Sequence, residues 1–346
     1  MTKKDAVIVY GAGISGRGAA QVLADRKQQV YLYNDMDCTL EPQLLQLIES
    51  VGGGLAIGQA AFEGLLDIAG VLVLSPGIAC DNANVLLAEQ RGLEVISEVE
   101  LGYRLYGGHI AAITGTNGKT TTTTIVGEML KRLPEPSAVG GNIGLALSKE
   151  VESLPQDGWL AAELSSFQLE KVSSFCPDIA VVLNLTPDHL ERHHTMEAYG
   201  EAKKNIFRQQ GEVQVTVLNY DDPIVRTWGA ETKGRLCYFS RKEKLQQGIY
   251  MQDGNFIISW DGKQETVCNI SELHLFGGHN EENVLAAIAC GFFAGVSISD
   301  MADVLRNFRS IEHRIEYVAT NDCVPSYTLL LSTSDAADDH TPVLSA

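Results

Sequence analysis

The sequence predicts an α/β protein in three parts. These are a Rossmann-like N-terminal domain over 1–106, a central P-loop α/β domain with a mostly parallel sheet over 107–319, and a disordered C-terminal tail over 320–346. Three observations carry this reading. Apolar runs such as Ala6–Tyr10 and Ile110–Ile113 have the length of buried strands. Both run straight into glycine-rich turns, Gly11-Ala-Gly-Ile-Ser-Gly16 and Thr114-Gly-Thr-Asn-Gly-Lys-Thr120, that open helices. Patterned helical segments separate the later strands, the alternation that builds a parallel sheet.

In the first unit, the strand Ala6–Tyr10 leads through its G-x-G-x-x-G turn into a helix reaching Ala24. A second strand, Gln29–Tyr33, ends at Asn34-Asp35. An acidic residue there reads as a nucleotide-binding βαβ unit, whereas glycines that only permit close packing are the alternative. A nucleotide-like ligand other than NAD is expected. Val71–Leu74 then delivers Ser75-Pro-Gly-Ile78 at the ligand edge of the sheet, and a further helix and the strand Leu93–Ile96 finish the unit near Tyr106. Gly107 and Gly108 mark the boundary.

The second unit opens with Ile110–Ile113, the Gly-rich loop and a helix through Met129. Its other strands are Trp159–Ala162, Ile179–Leu183 and Val213–Leu218. A β-rich excursion follows, with hairpin turns at Asp253-Gly254 and Asp261-Gly262. Gly277-Gly-His-Asn-Glu-Glu-Asn283 opens an apolar helix over 284–294. From Asp322 onward neither helical nor strand period is visible, so disorder is expected.

The 346 residues allow two or three domains, and 45% apolar with 20% charged residues describes an ordinary globular protein. A net charge of −18 argues against nucleic acid and acidic membrane surfaces as partners. Seven cysteines without a C-x-x-C pair suggest reduced thiols. No signal peptide precedes the first strand, and no apolar run has spanning length. The expectation is a cytoplasmic monomer without membrane insertion.

Chemistry concentrates where strands end. Gly115 and Gly118 let backbone N–H groups curl around phosphate oxygens, and the next helix presents its positive end. Lys119 would reach the β/γ-phosphates and Thr120 would bind Mg²⁺. The strict pattern wants Gly at position 113, where this chain has Ile113, so a purely structural turn stays open. Gly140-Gly-Asn-Ile-Gly144 is a turn carrying one amide, Asn142. Glu163 follows a strand, where helix capping and Mg²⁺ binding are equally good readings. Asn184-Leu-Thr-Pro-Asp-His189 ends another. His189 and His193 have the spacing of a zinc pair, yet the surrounding donors are hard oxygens. His189 is read as an auxiliary Mg²⁺ ligand, with His193 and His194 solvated. Lys203 and Lys204 sit on a helix, where lysine pairs usually face solvent; a buried one near Mg²⁺ is open to carbamylation.

Together these stretches resemble the Mur ligases, peptide-bond-forming enzymes of bacterial cell-wall synthesis. The likeness rests on Thr114–Thr120, Gly11–Gly16, Ser75–Ile78, Gly141–Gly144, Glu163–Leu169, Asp188-His189 and His279-Asn280 with Asn283, in order, and spans residues 5 to about 319. The family's ATP loop places its glycine at 115, which accounts for Ile113. The resemblance implies that Ile14, Ser15, Asp35, Ser75, Pro76 and Gly77 hold the UDP part of a substrate, UDP-N-acetylmuramoyl-L-alanine. Asn142, Ser165 and His189 would hold its muramoyl-alanine end. ATP would lie on Gly115, Thr116, Asn117, Gly118, Lys119, Thr120 and Thr121, with Asn280, Asn283 and Arg314 at the nucleotide. Of two Mg²⁺ ions, Thr120 and Glu163 would hold the first, His189 and a carbamylated Lys203 the second. Lys119, His189 and Lys203 would serve catalysis: the substrate carboxylate takes the γ-phosphate, and the D-glutamate amine attacks the acyl phosphate.

The family also has a third α/β domain that binds D-glutamate, opening with Asp-Ser-Lys shortly after 319. The run 320–346 does not match it. The reading therefore expects an aberrant tail, an absent third domain and a ligase impaired by truncation. Its alternatives are a non-catalytic binder of the UDP-muramoyl substrate and nucleotide, and an NAD-dependent oxidoreductase.

Overall fold

Short apolar runs buried on both faces form two sheets, as parallel strands covered by helices require. A computed structural model describes residues 5–275, 277–309 and, as backbone, 315–321 and 324–329. The first sheet contains β1 (Ala6–Tyr10), β2 (Val30–Asn34), β3 (Gly54–Ile57), β4 (Ala69–Leu74) and β5 (Glu94–Ser97). They run parallel in the order β3-β2-β1-β4-β5. Strand order reverses between β1 and β4, so their C-terminal ends flank the crevice where such sheets take ligands. Five helices cover it: α1 (Ile14–Asp25), α2 (Pro42–Ser50), α3 (Gln59–Leu65), α4 (Ala83–Gln90) and α5 (Glu98–Leu105).

The second sheet has nine strands in the order β14-β13-β12-β11-β10-β9-β6-β8-β7. Its parallel members are β6 (His109–Thr114), β7 (Ser137–Gly141), β8 (Trp159–Glu163), β9 (Ile179–Val182), β10 (Val215–Asn219), β11 (Arg235–Ser240) and β12 (Gly248–Gln252). The antiparallel β13 (Asn255–Trp260) and β14 (Lys263–Asn269) extend one edge. Their turns use Asp253-Gly254 and Asp261-Gly262, all four with positive φ, as two-residue hairpins of this kind require. Helices α6 (Lys119–Leu130), α7 (Leu147–Ser153), α8 (Ser166–Leu169), α9 (Leu190–His193), α10 (Met196–Lys204), α11 (Gly278–Ala294) and α12 (Ile298–Asn307) complete this unit. Because β6 lies between β8 and β9, the loops after these three strands share one edge.

Helix α5 fastens the two sheets together. Glu100 accepts hydrogen bonds from the backbone N–H groups of Ser173, Ser174 and Phe175 at 3.0 Å each and from Arg104 Nε at 2.8 Å. Burial alone would raise its pKa, but the hydrogen bonds from Ser174, Arg104 and the backbone overcome that and hold it below the usual value. Two residues earlier, Glu98 Oε1 accepts from Ser148 N at 2.7 Å. Gly102 allows the contact, since a Cβ there would stand 2.3 Å from Leu147 Cδ2.

In the C-terminal stretch, β15 (Ile315–Asn321) and β16 (Val324–Leu329) pair as an antiparallel hairpin. The second strand differs from the expected absence of strand structure beyond Asp322. Its Val, Tyr and Thr residues favour extended backbone, and pairing with a neighbouring strand supplies what the sequence pattern alone does not show. The rest of the predicted tail, and Arg314, lie outside the described residues. Among the described residues no helix is long and apolar enough to cross a membrane.

Candidate active site

The turn between β6 and α6 is shaped by two glycines. Gly118 has φ +85° and would place a Cβ 2.1 Å from Asn283 Oδ1, while a Cβ on Gly115 would meet Leu183 Cβ at 2.9 Å. The first-turn N–H groups of α6 have no acceptor within the helix, which suits them to an anion. Lys119 Nζ donates to Thr116 O at 2.9 Å. Asn184, to which the sequence assigns no individual role, grips the loop from β9. Its Oδ1 accepts from Asn117 N at 2.8 Å and its Nδ2 donates to Asn117 O at 3.0 Å. Asn184 O also accepts from Thr116 N at 3.1 Å, and Thr116 Oγ1 accepts from Thr186 N at 3.0 Å. The readable signal was an amide side chain at a strand end beside the loop, able to mimic a backbone pair.

Lys203 lies beneath this loop, 1% exposed. Its Nζ donates to Gly115 O at 2.9 Å and sits 4.6 Å above the Tyr199 ring. Burial, and then the charge of Lys119, hold its pKa well below the ordinary lysine value, against an opposing pull from Asp188. Lys204 points the other way, donating to Glu231 at 2.7 Å and Glu201 at 2.9 Å on the surface.

Glu163 ends β8 with 2% exposure, its Oε1 accepting from Asn142 Nδ2 at 3.1 Å. Its buried Oε2 has no hydrogen-bond partner. A buried carboxylate oxygen left unpaired is costly and calls for a cation or water. Mg²⁺ suits it: the ion uses one or two carboxylates and takes its remaining oxygens from phosphates and water. Among the described residues no three His, Cys, Asp or Glu side chains cluster as a self-sufficient metal site. Thr120 and Thr121 sit half-buried in the first turn of α6. Asn283 donates to Asn280 Oδ1 at 3.3 Å and abuts Gly118, so the start of α11 closes one side of the loop.

His189 adopts φ +53° and its ring lies 4.8 Å from that of Phe167, with Asp188 Oδ2 3.5 Å from Nε2. The expectation that His193 is solvated is wrong. It is 7% exposed, its Nε2 is 2.9 Å from Ser166 Oγ, and it stacks on Phe167. The reason is local. Helix α9 is a single turn between left-handed residues His189 and His194, which rolls His193 inward onto α8 and leaves His194 exposed. Burial lowers the pKa of His193, keeping it neutral. With Glu170 Oε1 3.5 Å from its Nδ1, the set has the order Ser, His and acid. Ser166, however, is 2% exposed and unreachable by a substrate. Ser165 caps α8, its hydroxyl accepting from Gln168 N at 3.3 Å.

At the first sheet, Gly16 would place a Cβ 1.8 Å from Gly11 O, the same carbonyl that accepts from Ser75 Oγ at 3.1 Å. Asp35 accepts from Tyr10 OH at 2.6 Å and Tyr33 OH at 2.7 Å. Burial, then Asp35, push the Tyr10 hydroxyl up to about 12, so it remains a neutral donor. Ile14 and Gly77 are exposed, Ser15 and Pro76 half-buried, around the crevice between β1 and β4. Gly16→Ala is expected to cost about 2 kcal/mol or more through overpacking. Gly13→Ala, where a Cβ meets nothing within 4 Å, should cost under about 1 kcal/mol. Urea unfolding of both variants checks this, and equal losses would contradict the packing argument.

Residues 113–291 match the Mur ligase middle domain, and together with the relatives below this places the chain in the Mur ligase family. The relatives are more particular. A UDP-N-acetylmuramoylalanine–D-glutamate ligase from Thermoanaerobacter sp. is 41% identical over 314 residues, covering 90% of this chain and 68% of the relative. A ligase of the same name from Lachnoclostridium phytofermentans is 40% identical over 322 residues, 93% of this chain and 71% of the relative. Among solved structures, the UDP-N-acetylmuramate:L-alanyl-gamma-D-glutamyl-meso-diaminopimelate ligase from Neisseria meningitides has a TM-score of 0.58 at 22% identity, covering 89% of this chain and 99% of that one. A murein peptide ligase from Psychrobacter arcticus has a TM-score of 0.59 at 17% identity, covering 91% and 70%. At these identities the structures support the fold.

Proposed function

We propose that this chain acts as an ATP-dependent ligase adding D-glutamate to UDP-N-acetylmuramoyl-L-alanine through an acyl phosphate, in peptidoglycan synthesis. One observation carries the reading. A phosphate loop, a buried carboxylate with an unpartnered oxygen and a buried lysine meet at one sheet edge. In this reading residues 1–106 bind the UDP substrate and 107–319 bind ATP.

Each residue then has a task. Gly115 to Thr121 cradle the triphosphate, with Lys119 leaving its contact on Thr116 O to meet the β/γ-phosphates. Asn280 and Asn283 border the nucleotide beside Gly118. Thr120 and Glu163 would hold one Mg²⁺, His189 and a carbamylated Lys203 the other. When bound, the two ions offset charge on the transferring phosphoryl group. Ile14, Ser15, Asp35 and the Ser75–Gly77 loop orient the UDP part. Asn142, Ser165 and His189 place the substrate carboxylate in line with the γ-phosphate, where orientation lowers the barrier.

Calorimetric titration tests the reading. UDP-N-acetylmuramoyl-L-alanine should bind saturably and NAD should not. Phosphate release with ATP, Mg²⁺ and D-glutamate then reports turnover. Tight NAD binding without UDP-substrate binding would overturn the proposal.

A further inference from the structure

One side chain crosses from the ATP-side loops to the candidate UDP loop. Arg192, with 16% side-chain exposure, donates from Nη1 to Pro76 O at 2.8 Å and from Nη2 to Ile78 O at 3.1 Å. Its Nη2 also donates to Glu170 Oε2 at 2.8 Å, and its guanidinium lies 4.0 Å over the Phe167 ring. That ring touches His189, three residues before Arg192 on the same turn. Glu170 Oε2 takes a second donor from the first unit, Cys80 Sγ at 2.9 Å. Burial, then Glu170, push the Cys80 thiol up to about 12, so it stays a donor.

The fork geometry matters. A rigid, forked guanidinium can serve two carbonyls and a carboxylate at once in fixed directions, which an ammonium reproduces poorly. Helix α5 locks the back of the junction through Glu98 and Glu100, whereas at the front Arg192 bridges the 75–78 loop and the His189 turn. We propose that Arg192 is a positioning residue that couples occupancy of a nucleoside-diphosphate-sugar site on the Ser75–Ile78 loop to the placement of His189 beside the phosphate loop. The inference rests on the function proposed above. Coupling between two sites is a measurable free energy and is reciprocal, so it is tested by linkage and not by contact alone.

The experiment uses the full chain and its Arg192→Met and Arg192→Lys variants. Amide hydrogen exchange is first read without ligand; Arg192→Met should speed exchange over 75–80 about tenfold or more. UDP-N-acetylmuramoyl-L-alanine is then titrated with and without a non-hydrolysable ATP analogue and Mg²⁺. The wild-type chain should show roughly fivefold or greater mutual enhancement. Both variants should lose it to within about twofold while binding the analogue alone nearly as before. A merely structural role would lower the melting temperature and weaken both ligands alike with the enhancement kept, which overturns the proposal. A wild-type chain that binds no UDP-substrate refutes the proposed function instead; unchanged exchange over 75–80 in the ligand-free variant refutes the bridge itself.

Discussion

Lys203→Ala should lower γ-phosphate chemistry about a hundredfold or more, the range seen when one preorganised electrostatic group is lost, while Lys204→Ala stays within about twofold. The two lysines are adjacent in sequence, so composition changes identically. Their surroundings differ. Lys203 is sealed beneath Gly115, and burial lowers its pKa, which favours the unprotonated amine that combines with CO₂. Lys204 is held on the surface by Glu201 and Glu231. Added bicarbonate should stimulate the wild-type chain and Lys204→Ala, and leave Lys203→Ala unmoved. Equal losses in both variants would sink the assignment.

The same burial makes a stability prediction of definite sign. Between the lowered folded pKa of Lys203 and its ordinary 10.5, the unfolded chain carries a proton that the folded chain does not. Stability due to this group therefore rises with pH across that window. In CO₂-free buffer, the unfolding free energy of wild type minus that of Lys203→Met should climb as pH rises through it. A flat difference would contradict the burial argument.

Glu163→Gln should weaken Mg²⁺-dependent nucleotide binding by about a hundredfold, since it removes the carboxylate that suits the ion. Stability should move the other way or hardly at all. The wild-type residue buries a carboxylate with an unpartnered Oε2, and a neutral isostere still accepts from Asn142 through its carbonyl oxygen. The expected change is between no loss and a gain of about 1 kcal/mol, as when a functional group is costly to the fold. Urea unfolding read beside nucleotide titrations with and without EDTA separates the two effects. Unaltered metal-dependent binding would exclude Glu163 as a ligand. A strong destabilisation would show that its carboxylate is structurally satisfied after all.

Most of the frame was readable from one-dimensional pattern. Buried runs such as Ala6–Tyr10 and Trp159–Glu163 announce strands because parallel strands bury both faces. The glycines at 11, 16, 115 and 118 announce turns because a side chain there would collide with Ser75, Gly11, Leu183 or Asn283. Thr120, Glu163 and His189 could be expected on one edge because all follow strands of one parallel sheet.

What the pattern could not decide is which way a side chain turns where periodicity has too few residues to act. His193 ends a one-turn helix and His194 caps it with positive φ, and only packing against Phe167 and Ser166 turns one inward and the other out. Lys203 and Lys204 are separated by the course of α10 beneath the phosphate loop. Arg192 reads as an ordinary surface arginine until the fold brings Pro76 and Ile78, more than a hundred positions away, to its guanidinium. The sequence by itself determined the elements and the residue types at their ends, since strand, helix and turn depend on neighbours along the chain. Tertiary structure alone decided burial, protonation and partnership at these sites, because desolvation and hydrogen bonding depend on neighbours in space.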